Sequence, residues 1–287
     1  MLSGKMQKPN TKASALALTS TSTIPRTTES HKFLFGSYKL KTPVRPIVPE
    51  QDVDVLFKID SSTYVKYQNN PGGLLQEVRK ALKERYTTTD KIKAWGKVVL
   101  IQFSDGTHNV EVLPAYERYD GKFLIPNTEN GGSWNVFDPR TPIKSFQDSN
   151  LSSNSLTQKL TKMIKAWKRN TTTLEYKSCI IAEDVINFVN RFYPDGADTG
   201  NYLLVIKAFY TYIFSRTSST DARYSLINIA KTRVDKAYQY EEEGKHIEAS
   251  EELRKVFGDV FPKEEKNEPN SLENNIFTTA PSPWRVN

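Results

Sequence analysis

The sequence predicts an α+β fold, a strand-rich first part followed by a run of helices. Short apolar runs with an alternating, period-two pattern are confined to the first part of the chain. Segments whose apolar residues recur every 3.6 positions fill the second. An Asp-Gly dipeptide between two apolar runs marks a hairpin. Helices that follow strands in this way build α+β layers, or two lobes with a cleft between them.

The elements follow in order. Lys-Phe-Leu-Phe (32–35) and the run 52–59, DVDVLFKI, read as strands. The stretch 72–86 is an amphipathic helix with Leu74, Leu75, Val78 and Leu82 on one face. Two further strands, 97–103 and 108–115, flank Ser104-Asp105-Gly106-Thr107, the expected turn. From about residue 150 the pattern is helical: Leu156, Leu160, Met163, Ile164 and Trp167 keep the helical period, and further helices are expected at 178–192, 201–216, 223–242 and 246–257. Ser or Thr fills 10 of the 20 positions from Thr11 to Ser30, a composition too poor in apolar surface to offset its ordering entropy. The expected organisation is therefore a flexible tail over 1–30, a first domain over 31–150, a helical lobe over 151–262 and a second flexible tail over 263–287.

Composition narrows the class. The 287 residues are 37% hydrophobic and 25% charged, as in ordinary soluble globular chains. A net charge of +7 leans toward anionic partners such as nucleoside triphosphates or nucleic acid. The single cysteine, Cys179, excludes an internal disulfide framework, and with three histidines a zinc site is not expected. No run is long and apolar enough for a membrane span, so the expected setting is cytoplasmic, without a membrane partner.

The sharpest feature is a set of acids inside apolar strands. Side chains alternate along a strand, so Asp52 and Asp54 project from one face while Val53 and Val55 enter the core. Glu111 lies between Val110 and Val112 with the same local pattern. If the two strands are neighbours, three carboxylates converge, and like charges at that spacing require cations. Mg²⁺ is the hard ion suited to carboxylate and phosphate oxygens, with Mn²⁺ as an alternative, and two such ions roughly 4 Å apart are a common device for displacement at phosphorus. Upstream, Gly36 lets backbone approach a phosphate and Ser37 donates to its oxygens.

Gly-Ser after an apolar strand, then Asp-x-Asp in a strand, then a later strand with an acid between apolar residues, is the order seen in nucleotidyltransferases related to DNA polymerase β. GSYKLKT (36–42) with DVDV (52–55) resembles the opening of the bacterial cGAS/DncV-like nucleotidyltransferases, or CD-NTases, which make cyclic or linear oligonucleotide second messengers in antiphage defence. Further similar stretches are HNVEVLPA (108–115), IPNTENGGSWNVFDP (125–139), MIKAWK (163–168), EYKSCIIAEDVINF (175–188) and EASEELRKVFGDVFP (248–262). The resemblance implies a polymerase-β-like palm, a mixed sheet with helices, followed by a helical lobe with the active site in the cleft between them. It also implies Asp52, Asp54 and Glu111 as catalytic metal ligands, Gly36 and Ser37 on the donor triphosphate, Lys165 reaching that triphosphate, and Lys177-Ser178 as a second triphosphate contact. The chain departs from the family at three points: Glu111 stands where Asp is usual, Lys41 where Gly is frequent, and residues 1–30 do not read as the long N-terminal helix that precedes the Gly-Ser strand.

The expected activity is Mg²⁺-dependent polymerisation and cyclisation of NTPs, ATP among them, with release of pyrophosphate. Transfer of a nucleotide to an RNA end or a small molecule, and a catalytically weak nucleotide-binding scaffold, are the alternatives the residues leave open. A regulatory or effector protein is an expected partner; a nucleic-acid activator is left open.

Overall fold

The structure, a computed structural model, describes residues 31–46, 52–89, 91–103, 108–195 and 202–264. The tail expected over 1–30, the family's N-terminal helix, the turn at 104–107 and residues 265–287 of the second tail lie outside the described residues. The chain divides into two units, Met1–Lys144 and Ser145–Asn287.

The first unit is built on a seven-stranded mixed sheet. Its strands are β1 (Lys32–Leu34), β2 (Val53–Ile59), β3 (Ile92–Trp95), β4 (Val98–Gln102), β5 (Asn109–Glu117), β6 (Phe123–Asn127) and β7 (Ser133–Phe137). Helix α1 (Gly36–Lys39) follows β1, while α2 (Ser61–Tyr67) and α3 (Pro71–Arg85) connect β2 to β3. The strand order is β1-β2-β5-β4-β3, with β6 joining β5 and β7 joining β6. β2 and β5 run parallel, and every other pairing is antiparallel. β4 and β5 pair as the expected hairpin requires, with Ile101 opposite Val110.

Alternation along β2 gives the sheet two different faces. Val53, Val55, Phe57 and Ile59 are buried in one cluster with Leu74, Leu75, Val78 and Leu82 of α3. Fully burying a side chain of this size contributes about 1.5–3 kcal/mol, which docks α3 on this face. The helix starts cleanly: Pro71 occupies its first turn, and Asn70 accepts from the Gly73 N–H at 3.0 Å. On the opposite face Leu56 of β2 meets Leu113, Ala115, Phe123 and Ile125 in a second cluster. Asp54 and Lys58 share that second face by the same alternation, as do Glu111 and Glu117 of β5.

Several family-like stretches are structural braces. Thr128 donates its hydroxyl and its N–H to the Gly96 carbonyl at 3.0 and 3.1 Å. Gly132, at φ +94°, leaves room for Pro71, and the Trp134 indole N–H donates to the Gln68 carbonyl at 3.0 Å. Together they tie the β6–β7 hairpin to the β3–β4 turn and to the start of α3.

α4 (Arg140–Ser152) spans the division between the units. The second unit continues with α5 (Leu156–Asn170), α6 (Ser178–Phe192), α7 (Tyr202–Arg216), α8 (Tyr224–Glu242) and α9 (His246–Phe257). Leu156, Leu160, Ile164 and Trp167 are buried as their period predicts, with Met163 partly buried against them. Trp167 meets Tyr176 and Tyr210 edge-on, at ring separations of 6.3 and 5.2 Å. α7 buries Leu203, Val205, Ile206, Phe209, Tyr210 and Ile213. The Gly258 segment closes α9: Asn170 donates to the carbonyls of Lys255 and Val256 at 3.1 and 3.0 Å, satisfying backbone groups that the helix end would leave unmet.

Candidate active site

The sheet register brings the acids together. Asp54 and Glu111 are direct partners across the parallel β2–β5 pair. Both lie on the second face, where the Leu56–Leu113 cluster gives way to polar side chains. Asp52 precedes β2 by one residue, and its charge reaches Glu111. Burial first, and the Asp52 charge second, push the Glu111 carboxyl above the ordinary carboxylate range.

A contrast on the same strand shows how unusual that is. Glu117, three turns of alternation further along the same face of β5, accepts from Lys58 at 2.7 Å and from Arg140 at 2.5 Å. Burial again opposes its charge, yet the two cations outweigh it and hold the Glu117 carboxyl below its usual value. One end of this face is thus an ion-paired cluster, and the other gathers Asp54 and Glu111, with Asp52 beside them.

β1 delivers the Gly-Ser pair to the acidic end. Leu34 pairs with Val55, and the Phe35 N–H donates to the Asp54 carbonyl at 3.3 Å. Gly36 then turns with φ +64°, and a Cβ added there would stand 2.0 Å from an Oδ of Asp54. The glycine backbone therefore lies directly on the aspartate carboxylate, which no side-chain-bearing residue permits. Gly36 and Ser37 open the single turn α1. Thr42 is fully buried and closes this turn, its N–H donating to the Ser37 carbonyl at 2.9 Å. Lys41 takes a left-handed conformation at φ +55°, so the lysine occupies a backbone state that suits the family's glycine.

The oxygen-rich donor set suits a hard divalent cation. Among the described residues, however, no group of three or more His, Cys, Asp or Glu side chains is gathered into a ready-made metal cage. Drawing the three carboxylates closer would raise their mutual repulsion in the absence of a cation.

The model of the SMODS family, the second messenger oligonucleotide or dinucleotide synthetase domain, matches residues 11–150, which carry all three acids and the Gly-Ser pair. Over those residues the chain is similar to the cGAS/DncV-like nucleotidyltransferases. A protein of Bacillus cereus (strain VD146) named "Probable cyclic nucleotide synthase" is 25% identical over 283 aligned positions, 80% of this chain and 82% of its own length. Among solved structures, Vibrio cholerae DncV cyclic AMP-GMP synthase, in complex with the linear intermediate pppA(3′,5′)pG, is similar with a TM-score of 0.66 and 16% identity, over 81% of this chain and 70% of that one. CdnC of E. coli MS115-1, solved with a HORMA partner, is similar with a TM-score of 0.61 and 16% identity, over 83% and 84%. These likenesses establish the fold, a mixed-sheet palm of the polymerase-β kind and a helical lobe.

The remaining expected residues lie in the helical unit. Lys165 is half-buried on α5 beside the apolar stripe. Lys177 stands immediately before α6 and Ser178 begins it, both exposed. Sequence reasoning missed Tyr38: burial and then the Asp52 charge raise its phenol, which places the ring in the field of the acids. Its position directly after Gly-Ser was the available signal. Of the aromatic residues crowding α7, Phe209 and Tyr210 are fully buried core residues. No helix of the described residues is long and apolar enough to cross a membrane.

Proposed function

We propose that this chain joins nucleoside triphosphates, ATP among them, into cyclic or short linear oligonucleotides, releasing pyrophosphate, as a cytoplasmic second-messenger synthase of bacterial antiphage signalling. The observation that carries the reading is the Asp54–Glu111 register with Asp52 beside it and the Gly36 backbone laid against Asp54. Asp52, Asp54 and Glu111 would hold two Mg²⁺ ions, or Mn²⁺ in their place. When bound, such ions neutralise the carboxylates and the triphosphate and ease deprotonation of the attacking hydroxyl. Gly36 gives the donor triphosphate a close approach to backbone, and Ser37 donates to its oxygens. Lys165 is assigned to the same triphosphate. Lys177 and Ser178, at the N-terminal end of a 15-residue helix, suit a second phosphate contact through charge and N–H groups. Most of the rate would come from positioning and charge neutralisation.

The family likeness to DncV, solved with a linear adenylyl-guanylyl intermediate, supports an oligonucleotide product. The likeness to CdnC, solved with HORMA, supports a regulatory protein partner. The test is chromatography of the products formed from all four NTPs with Mg²⁺. Cyclic or short linear oligonucleotides are expected, and Asp54→Ala abolishes them while leaving the circular dichroism spectrum unchanged. Full turnover in Asp54→Ala overturns the assignment, and product formation only on adding an RNA or small-molecule acceptor replaces it with nucleotidyl transfer to that acceptor.

A further inference from the structure

The helical unit carries a groove of about 720 Å³ formed by the C-terminal end of α6 and one face of α7. A cavity of that size falls within the range of ligand sites, about 300–1,000 Å³. Along α7 the lining positions include Leu204, Lys207, Thr211, Tyr212 and Arg216, a helical stripe roughly 18 Å long at 1.5 Å per residue. Arg191 and Phe192 of α6 form the opposite wall. The groove lies near the far end of α6 from Ser178, about 20 Å along the helix, and is therefore separate from the phosphate contact proposed there.

Its chemistry is specific. Among the described residues, three cations line it and no acid does. Phe192 is 50% exposed and Leu204 46%, although both are large apolar side chains. Cations and rings are interleaved: Arg191 sits 5.3 Å from the Phe192 ring centre and Arg216 5.3 Å from that of Tyr212, while the two rings meet edge-on at 5.7 Å. A ligand that matches must offer flat apolar faces and repeated negative charge over a length near 18 Å. A single-stranded nucleic acid does so, with bases to stack on exposed rings and a phosphate for each base. One nucleoside triphosphate gathers its charge at one end, whereas Lys207 and Arg216 are nine residues or about 13 Å apart along α7. An acidic peptide supplies the charge but leaves Phe192 without a planar partner.

We propose that the α6–α7 groove binds a short segment of single-stranded nucleic acid, with bases stacked on Phe192 and Tyr212 and phosphates paired with Arg191, Lys207 and Arg216. The inference does not depend on the active-site reading, since it uses none of those residues.

The experiment is fluorescence anisotropy of a labelled 12-mer of oligouridylate with the full chain, titrated over a range of salt. Three phosphate contacts give a slope of log K against log salt of about −2, at about −0.7 per contact. Arg191→Gln, Lys207→Gln and Arg216→Gln should each flatten that slope by about 0.7. Phe192→Ala should weaken binding about tenfold without changing the slope, because a stacking contact carries no counterion. Asp54→Ala should bind as wild type does. Binding unaffected by Phe192→Ala and by the three Gln variants overturns the proposal. So does equal affinity for poly-glutamate of the same charge, which would show that charge alone is read. Displacement of the oligomer by ATP at comparable concentration overturns it in favour of a mononucleotide site.

Discussion

Gly36→Ala isolates the contact on which the candidate site is built. The substitution adds one methyl at φ +64°, 2.0 Å from the Asp54 carboxylate. A left-handed backbone costs a non-glycine residue about 1–2 kcal/mol. Clearing the methyl forces Asp54 off its rotamer, adding about 0.5–1.5 kcal/mol, for a total of about 1.5–3.5 kcal/mol. Gly96→Ala is the matched control: it has φ +59° but nothing within 4 Å of the added carbon, so it carries the backbone cost alone. Urea denaturation should therefore show Gly36→Ala less stable than Gly96→Ala by about the rotamer cost of roughly 1 kcal/mol. The activity difference should be larger, because a carboxylate displaced by about 1 Å costs on the order of 100-fold in rate. Pyrophosphate release from NTPs should fall by that factor in Gly36→Ala and stay near wild type in Gly96→Ala. Equal stability of the two variants, together with retained turnover in Gly36→Ala, would refute the claim that Gly36 seats Asp54.

Two isosteric changes on one strand should act with opposite signs. The folded-state pKa of Glu111 is raised, so the stability its protonated form provides is present below the unfolded pKa and is lost as pH rises through the folded value. Glu111→Gln should therefore be more stable than wild type at neutral pH, with no gain in acid, and should release no pyrophosphate. The folded-state pKa of Glu117 is depressed, so its stabilisation is present above the unfolded pKa and is lost as pH falls through the folded value. Glu117→Gln should cost about 1 kcal/mol at neutral pH, a modest figure because the pair with Lys58 and Arg140 is partly exposed; urea curves at pH 4 and 7.5 test both. Trp134→Phe removes the hydrogen bond to the Gln68 carbonyl and should lower stability by about 1 kcal/mol while turnover persists. Chelation with EDTA should stop pyrophosphate release, and added Mg²⁺ should restore it, with the far-ultraviolet spectrum unchanged throughout.

The helical unit was readable because its segments carry strong periods. The helix expected at 178–192 is observed over Ser178–Phe192, and that expected at 201–216 over Tyr202–Arg216. α4 escaped because Ile143, Phe146 and Ser149 form a narrow stripe that includes a polar residue. α2 escaped because it buries no residue and depends on Asp60, which accepts from the Thr63 N–H at 2.7 Å. β3, β6 and β7 are held by neighbouring strands and by turns at positive-φ glycines, signals that short strand patterns do not carry. At the site, alternation alone put Asp54 opposite the buried valines. The pairing of Asp54 with Glu111 needed the parallel register, which lies in the topology and in no local stretch of sequence. The turn at Gly36 was not legible because its partner, the Asp54 carboxylate, is distant in sequence.

The parallel pairing of β2 with β5 also dictates when the acids can meet. Asp54 leaves the ribosome first, and its partner is synthesised only after two helices and two further strands. Closing so long a loop is slow compared with forming the local hairpins on either side of it. A nascent fragment that ends between Asp54 and Glu111 carries the Gly-Ser turn and both aspartates but lacks the third carboxylate.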